Sequence, residues 1–257
     1  MGTDSVQDQF LDMLHQPDAY DYKDYLKYII ELVQNGEEDK LQYIGDIFRK
    51  SHAYPGRTSL CNSIMKQLDP IKYANELSVL LMGTFYPSIG QFDRVNSERK
   101  SAIENRMGAY TYIPAGRAYF IERVSQIKSK AQLSDMKFID VGCGIGDKVM
   151  LAQFLGFDAY GVEINSHTLG LAQYFLHKVV PYTHLILGNA FDIDYSQYSF
   201  IYMYVPIYDV KKMAELYRLI KKRAKGKTVI FDIARNPRYW YKYHSKVTSL
   251  TIPSIYP

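Results

Sequence analysis

The chain has few of the residues that build covalent or fibrous frameworks. Its 257 residues include only two cysteines, Cys61 and Cys143, too few for a disulfide scaffold or, by themselves, for a zinc site. The 16 glycines and 10 prolines show no repeat, which excludes collagen-like and linker-like sequence. No apolar run is long enough to span a bilayer. We therefore expect a cytoplasmic protein without a membrane partner.

Apolar and aromatic residues, in contrast, are plentiful. The apolar fraction is 47%, and 24 Tyr, 12 Phe and one Trp rule out intrinsic disorder. The length fits one or two domains. The first residues are acidic where a secretory signal would be basic, and no apolar core follows them, so we expect no such signal.

The net charge of +4 is distributed unevenly. Residues 211–257 contain 2 acids against 12 Lys and Arg, a balance of +10. Between residues 235 and 246 the cations alternate with aromatic residues, a mixture that suits phosphate contacts and base stacking. Nucleic acid is therefore a candidate partner of region 211–246, and a solvated helix face is the structural alternative.

The apolar spacing up to about residue 107 is mostly helical. The predicted helices cover residues 25–33, 41–48, 57–67, 70–81 and 95–107. Asp69-Pro70 is a first-turn signal for the helix over 70–81, and the stretch from Gly83 to Gly90 is rich in turn residues. We predict a helical N-terminal region over residues 1–107.

Short apolar runs alternate with helical segments from residue 137 onward. The predicted strands cover residues 137–141, 159–162, 184–187, 199–204 and 228–231. The predicted helices between them cover residues 148–155, 166–179 and 208–223. This alternation is typical of an α/β fold with a doubly wound, mainly parallel sheet covered on both faces. We assign it to a second domain, residues 108–257.

The first of these strands leads directly into three alternating glycines, in FIDVGCGIGD, residues 138–147. Glycines let a ligand approach where a Cβ would collide, and the helix beyond them presents unpaired N–H groups. Glu163 ends the next predicted strand, 21 residues after Gly142. In this topology its carboxylate lies beside the loop, where it can accept hydrogen bonds from two ribose hydroxyls.

The spacing of the glycines separates two classes of ligand. A dinucleotide site has G-x-G-x-x-G/A, but here Asp147 occupies the third small position. Asp140, at the end of the strand, would repel a pyrophosphate and suits an ammonium group. These residues favour a ligand with an adenosine and an amino-acid tail over NAD.

At this point the sequence resembles a known superfamily, the class I S-adenosylmethionine (SAM)-dependent methyltransferases. FIDVGCGIG is similar to their first motif, and AYGVEIN to the second, which ends in an acidic residue. LILGNAFDI resembles the third motif, and SFIYMYVPI occupies the place of the fourth. The resemblance covers roughly residues 115–235 and implies a Rossmann-like methyltransferase sheet with SAM as cofactor.

The resemblance also implies roles for individual residues. Gly142, Gly144 and Gly146 would line the methionine and ribose, and Asp140 would lie near the ammonium. Glu163 would bind the ribose hydroxyls.

The adenine would lie between residues of the second and third motifs. Ile164 would pack on one face of the ring, and Ala190 and Phe191 follow the glycine of the third motif. Asn189 stands where the family usually has Asp, so its contact to the adenine amino group is weaker or is shared with Asp192.

The fourth strand would end beside the methyl group, at Tyr204-Val-Pro206. Enzymes that methylate amino groups of bases carry an acid or amide there, and this chain has neither. Tyr204 and Pro206 would shape the acceptor pocket. The structural alternative is that Tyr202 and Tyr204 are half-buried aromatic side chains of the strand.

An aromatic stretch, residues 110–117, precedes the first motif. It is loosely similar to the aromatic loop of the non-SET histone lysine methyltransferases. Tyr112 would gate the acceptor and Arg117 would bind the SAM carboxylate as a bidentate donor. An ordinary interdomain turn is the alternative.

The six histidines are dispersed, and we expect no metal. We interpret the chain as a SAM-dependent methyltransferase acting on an N or O acceptor. A non-catalytic nucleotide-binding scaffold is the alternative, and an NAD-dependent oxidoreductase is a weaker one.

Overall fold

The chain forms two compact units. The structure is a computed structural model that describes residues 22–50, 57–86, 116–130, 137–176, 184–204, 206–224 and 228–231. The first unit holds the described residues up to 86 together with residues 117–126, and the sheet described below belongs to the second. The predicted boundary at residues 107 and 108 lies outside the described residues and stays a prediction.

The first unit is helical throughout its described part. Its helices are α1 (Tyr22–Gln34), α2 (Glu38–Lys50), α3 (Arg57–Gln67), α4 (Ala74–Phe85) and the first ten residues of α5 (Arg117–Lys130). They confirm the helices predicted over 25–33, 41–48 and 57–67, whereas the helix predicted over 95–107 lies outside the described residues.

The core of this unit is aliphatic and aromatic. Residues three and four apart meet on one face of a helix, so each helix contributes a stripe, for example Leu41, Ile44 and Phe48 of α2. Ile29 and Val33 of α1 pack into the same core. Burial of these side chains stabilises the unit through the hydrophobic effect.

The prediction of a helix over 70–81 was wrong at both ends. The Asp69 side chain accepts hydrogen bonds from the N–H groups of Ile71 and Lys72, which forms a turn, and α4 begins only at Ala74. The helix continues through Gly83, which lies against α2: a Cβ on Gly45 would be 2.7 Å from the carbonyl carbon of Gly83. Gly83 therefore serves close helix packing rather than a turn.

The second unit alternates strands with helices. Its elements are β1 (Lys137–Val141), α6 (Asp147–Phe154), β2 (Asp158–Glu163), α7 (Ser166–Leu176), β3 (Leu185–Leu187), β4 (Phe200–Met203), α8 (Val210–Arg223) and β5 (Thr228–Phe231). Two short 3₁₀ turns, Ala190–Asp192 and Tyr195–Gln197, lie between β3 and β4. The predicted strands and helices of this region are confirmed within a few residues at their ends.

The strands form one sheet in the order β3-β2-β1-β4-β5, and every pairing is parallel among the described residues. In the register, Asp140 lies between Gly161 of β2 and Tyr202 of β4. The order reverses direction at β1, between β2 and β4. This is the doubly wound, Rossmann-like α/β arrangement that the alternation predicted.

Both faces of the sheet are covered. Ile139, Val141 and Ile201 share a core with Leu216 and Ile220 of α8. Alternate residues point to the opposite face, where Phe138 stacks on Phe200 with ring centroids 5.5 Å apart. The carboxyl ends of β1, β2 and β3 thus meet at one edge of a rigid sheet, and the predicted site residues follow directly from them.

Candidate functional site

The glycine loop between β1 and α6 makes a tight, backbone-bonded turn. Gly142, Gly144 and Gly146 have φ of 77°, 55° and 78°. The N–H groups of Gly142 and Cys143 both donate to the carbonyl of Val162, which ties the loop to β2. Gly146 is the N-cap of α6 and has no side chain to bind the first N–H groups of the helix.

Glu163 joins this loop to the end of β2. Its Oε2 accepts a 3.0 Å hydrogen bond from the N–H of Gly144. Its Oε1 accepts bonds of 2.8 and 2.9 Å from the N–H groups of Ile164 and Asn165. The predicted acid therefore lies in contact with the glycine loop and is only partly buried. Ile164, the residue predicted to pack on adenine, is also partly buried.

Asp140 lies beneath the same loop and is 3% exposed. Burial raises the pKa of its carboxyl to about 8, because desolvation disfavours the charged form. The nearby Lys148 charge lowers this pKa, and the Asp147 and Glu163 charges raise it. A cation brought to this carboxyl would favour its ionised form.

A buried ion pair at the start of α6 is the main feature that the sequence analysis missed. Lys148 Nζ lies 2.7 Å from Asp147 Oδ2, and the two side chains are 4% and 2% exposed. From the sequence, Asp147 is only a residue that departs from the dinucleotide pattern. An adjacent Asp and Lys at a helix start would ordinarily be solvated, so no local signal indicated their burial.

The protein itself fills the space beside two of the loop glycines. A Cβ on Gly142 would lie 2.5 Å from the Cβ of Pro206, which brings the segment after β4 directly against the loop. A Cβ on Gly146 would lie 2.6 Å from Cδ1 of Leu176, so this glycine allows α7 to approach. That either glycine also lines a ligand stays a prediction.

The segment after β3 returns to the same edge of the sheet. Gly188 N–H donates to the carbonyl of Glu163, and the Asn189 side chain accepts a 3.1 Å bond from the N–H of Phe191. Ala190 and Phe191 are partly buried against the α8 side of the sheet core. The oxygen of the Asn189 amide is therefore engaged in capping its own turn.

The remaining predicted site residues lie on other parts of the chain. Tyr204 directly follows β4 and is partly buried. Arg117 begins α5 and belongs to the first unit, whereas the other described site residues belong to the second. Tyr112 lies outside the described residues. The roles of these residues stay predictions.

The described residues offer neither a metal site nor a membrane-spanning helix. No group of three or more His, Cys, Asp or Glu side chains in them could hold a metal ion. None of their helices is long and apolar enough to cross a membrane.

The chain matches no protein-family model and no curated protein. Among solved structures, it is similar to magnesium protoporphyrin IX methyltransferase (ChlM) from Synechocystis PCC 6803 with bound SAH. The identity is 17% and the TM-score 0.42, over 63% of this chain and 78% of that chain.

Two further solved structures are similar to this chain, and each covers a different share of it. The PH0226 protein from Pyrococcus horikoshii OT3 is 16% identical with a TM-score of 0.38, over 52% of this chain and 66% of that one. A mutant of MtNAS in complex with S-adenosylmethionine is 16% identical with a TM-score of 0.34, over 82% of both chains. Similarity at these identities and TM-scores does not show the activity of this chain.

Proposed function

We propose that the chain is a SAM-dependent methyltransferase that transfers a methyl group to a nitrogen or oxygen acceptor. The acceptor belongs to a protein, a small molecule or a nucleic acid. The proposal rests on the site geometry of the second unit and on the motif resemblance.

One observation carries the proposal: the Glu163 carboxylate is hydrogen-bonded to the N–H of Gly144. The bond places an acid from β2 against the glycine loop after β1, at the point where the strand order reverses. Ligands of open α/β sheets bind at this switch point, and an acid there suits the two hydroxyls of a ribose.

The charges beneath the loop fit the amino-acid end of SAM better than a pyrophosphate. Asp140 is buried at the end of β1, and Asp147 is buried at the start of α6. A pyrophosphate would meet a buried carboxyl and an ion pair here, whereas an ammonium would meet a carboxyl that can ionise beside it. A bound ammonium would offset the desolvation that raises the pKa of Asp140.

Toward the methyl acceptor, the role of the chain is to hold the acceptor in the right position. Bound SAM would supply an activated methyl group, which would pass from its sulfur to the acceptor nucleophile while S-adenosylhomocysteine leaves. Pro206 packs against Gly142 and so holds the segment after β4 beside the loop. Tyr204 and Pro206 would orient the acceptor and exclude water, which is the main requirement of such a displacement.

Two alternatives remain open to experiment. A non-catalytic SAM-binding scaffold is favoured by the absence of an acid or amide in Tyr204-Val-Pro206. An NAD-dependent oxidoreductase is disfavoured by Asp147, which occupies the small position of the dinucleotide pattern and is buried there.

Nucleic acid stays a candidate partner of region 211–246. In the described part of this region, α8 exposes Lys211, Arg218, Lys221 and Lys222. Such a surface supports phosphate contacts, whereas residues 232–246 lie outside the described residues. Steeply salt-dependent RNA or DNA binding would support the proposal.

The cofactor is tested by calorimetry with SAM. Gly144→Arg fills the loop at a buried position, so we expect it to abolish SAM binding while the far-UV spectrum stays native. Gly170→Arg is the matched control, because Gly170 is exposed on α7 and a Cβ there meets nothing within 4 Å. Undiminished SAM affinity in Gly144→Arg would refute the proposed site.

Turnover separates the enzyme from the alternatives. With cell extract as the source of acceptor, wild-type protein should release S-adenosylhomocysteine (SAH) and Gly144→Arg should not. SAM binding without turnover would select the scaffold. Affinity for NADH but not for SAM would select the oxidoreductase.

A further inference from the structure

The segment after β3, residues 188–193, is held by side chains from other parts of the second unit. We call it the β3 loop. Tyr195 Oη donates a 2.7 Å hydrogen bond to the carbonyl of Ala190, and Tyr195 is fully buried. Arg223 Nη1 donates to the carbonyls of Phe191 and Ile193, at 2.9 and 2.8 Å. Three carbonyls of this short loop are therefore bound by donors from outside it.

Arg223 is the last residue of α8, 32 and 30 residues from its two partners. A single guanidinium nitrogen bridges two carbonyls and so fixes the distance between them. The donor is charged, which strengthens both bonds, and both lie at the exposed surface, where water screens part of this charge. Arg223 belongs to the basic region predicted to contact polyanions, but its side chain is directed to the protein's own backbone.

The charge of Arg223 also affects the residues that follow the loop. Hydrogen bonds from Ser196 lower the pKa of Asp194, and the Arg223 charge lowers it further. The Arg223 guanidinium therefore lies near enough to Asp194 to interact with it electrostatically. The two carbonyls and the Asp194 carboxylate together favour one orientation of the Arg223 side chain.

We propose that Arg223 is a positioning residue that keeps the β3 loop in the shape that binds the adenine of the cofactor. The inference rests on the proposed function, in which Asn189, Ala190 and Phe191 contact the ring. A loop that is ordered before binding loses less conformational entropy when the ligand arrives. Arg223 would therefore contribute to cofactor affinity without touching the cofactor.

The test measures the affinity of the full chain for two probes, SAH and 5′-methylthioadenosine. The second probe has the adenosine but lacks the amino-acid end. Arg223→Gln should weaken both by the same factor, about tenfold. Arg223→Lys keeps a charged donor and should recover part of the loss. Lys50→Gln removes an exposed cation at the end of α2, in the first unit, and should leave both affinities within about twofold.

Hydrogen exchange supplies a second readout that does not depend on any ligand. In the ligand-free protein, Arg223→Gln should speed exchange in peptides that cover residues 188–198 and leave β1 and α6 unchanged. If Arg223→Gln does not fold, Arg223→Lys is measured instead. It should show a smaller loss of affinity and a smaller increase in exchange rate.

The outcomes separate the two proposals. Wild-type protein that binds neither probe overturns the proposed function, and this inference with it. Wild-type binding combined with unchanged affinities in Arg223→Gln overturns the inference alone. The same holds if Arg223→Gln weakens SAH but not 5′-methylthioadenosine, because the effect would then lie at the amino-acid end.

Discussion

The two units of the chain differ in what they bury. In the described part of the first unit, the buried polar side chains are hydroxyls, and two of them, Ser78 and Thr84, donate to helix carbonyls of their own helix. In the second unit, Asp140, Asp147 and Lys148 are buried together beside the glycine loop. Buried charges are costly, so a fold retains them where they serve a site.

The backbone shows the same contrast. The described residues of the first unit have one glycine with positive φ, Gly36, at the end of α1. The second unit has three within five residues, Gly142, Gly144 and Gly146. The first unit thus gains stability from a regular apolar core, and the second holds three left-handed glycines, a buried carboxyl and a buried ion pair at one edge of its sheet. The four predictions below test this contrast, beginning with the largest effect.

Lys148→Met should lower the free energy of unfolding by about 3–5 kcal/mol, because it removes the positive charge that lies beside the buried Asp147 carboxylate. Lys40→Met is the matched variant in the first unit. Lys40 pairs with Glu37 at the same 2.7 Å, but these side chains are 28% and 35% exposed. It should therefore cost no more than about 1 kcal/mol. Urea unfolding measures both, and equal losses would contradict the contrast.

Gly142→Ala should destabilise the protein by about 2–4 kcal/mol, since it adds a left-handed residue and a clash with Pro206. Gly36→Ala has a similar φ of 70°, but its Cβ meets only Glu76 Oε1 at 3.9 Å. Its cost should be about 1 kcal/mol. SAM affinity should fall only in Gly142→Ala. A similar loss of stability in both variants would show that Pro206 does not restrict the loop.

Asp140 should make stability depend on pH. Its folded pKa of about 8 lies above the ordinary aspartate pKa of 3.8, so the native state keeps a proton that the unfolded state has released. Stability from this group is full below pH 4 and falls as pH rises toward 8, by about 1 kcal/mol per pH unit. Urea unfolding between pH 5 and 8 measures the slope, which Asp140→Asn should reduce. Identical slopes would place the ionised carboxylate in the folded protein at pH 5.

Gly170→Ala should raise stability by about 0.5–1 kcal/mol, the smallest effect of the four. Gly170 lies in the interior of α7, is exposed, and has no neighbour within 4 Å of an added Cβ. Thermal unfolding should show the gain, with SAM affinity unchanged. A loss of stability would contradict the open space around Gly170.

Periodicity and spacing predicted most of the fold and part of the site. The strand and helix types of the second unit followed from apolar runs, and the position of Glu163 followed from its distance to Gly142 along an alternating chain. The same patterns predict a turn at Gly83, and this prediction was wrong. The neighbour of Gly83 is Gly45 on another helix, and local propensity contains no information about that contact.

By itself, the sequence determined which segments form helices and strands, because hydrophobic spacing repeats within a few residues. It also determined that an acid and a glycine loop follow adjacent strands. Only the tertiary structure decided that Lys148 is buried beside Asp147, that Pro206 packs on Gly142, and that Arg223 binds the β3 loop. These contacts join residues whose burial and partners depend on how distant elements pack, and packing is a property of the whole fold.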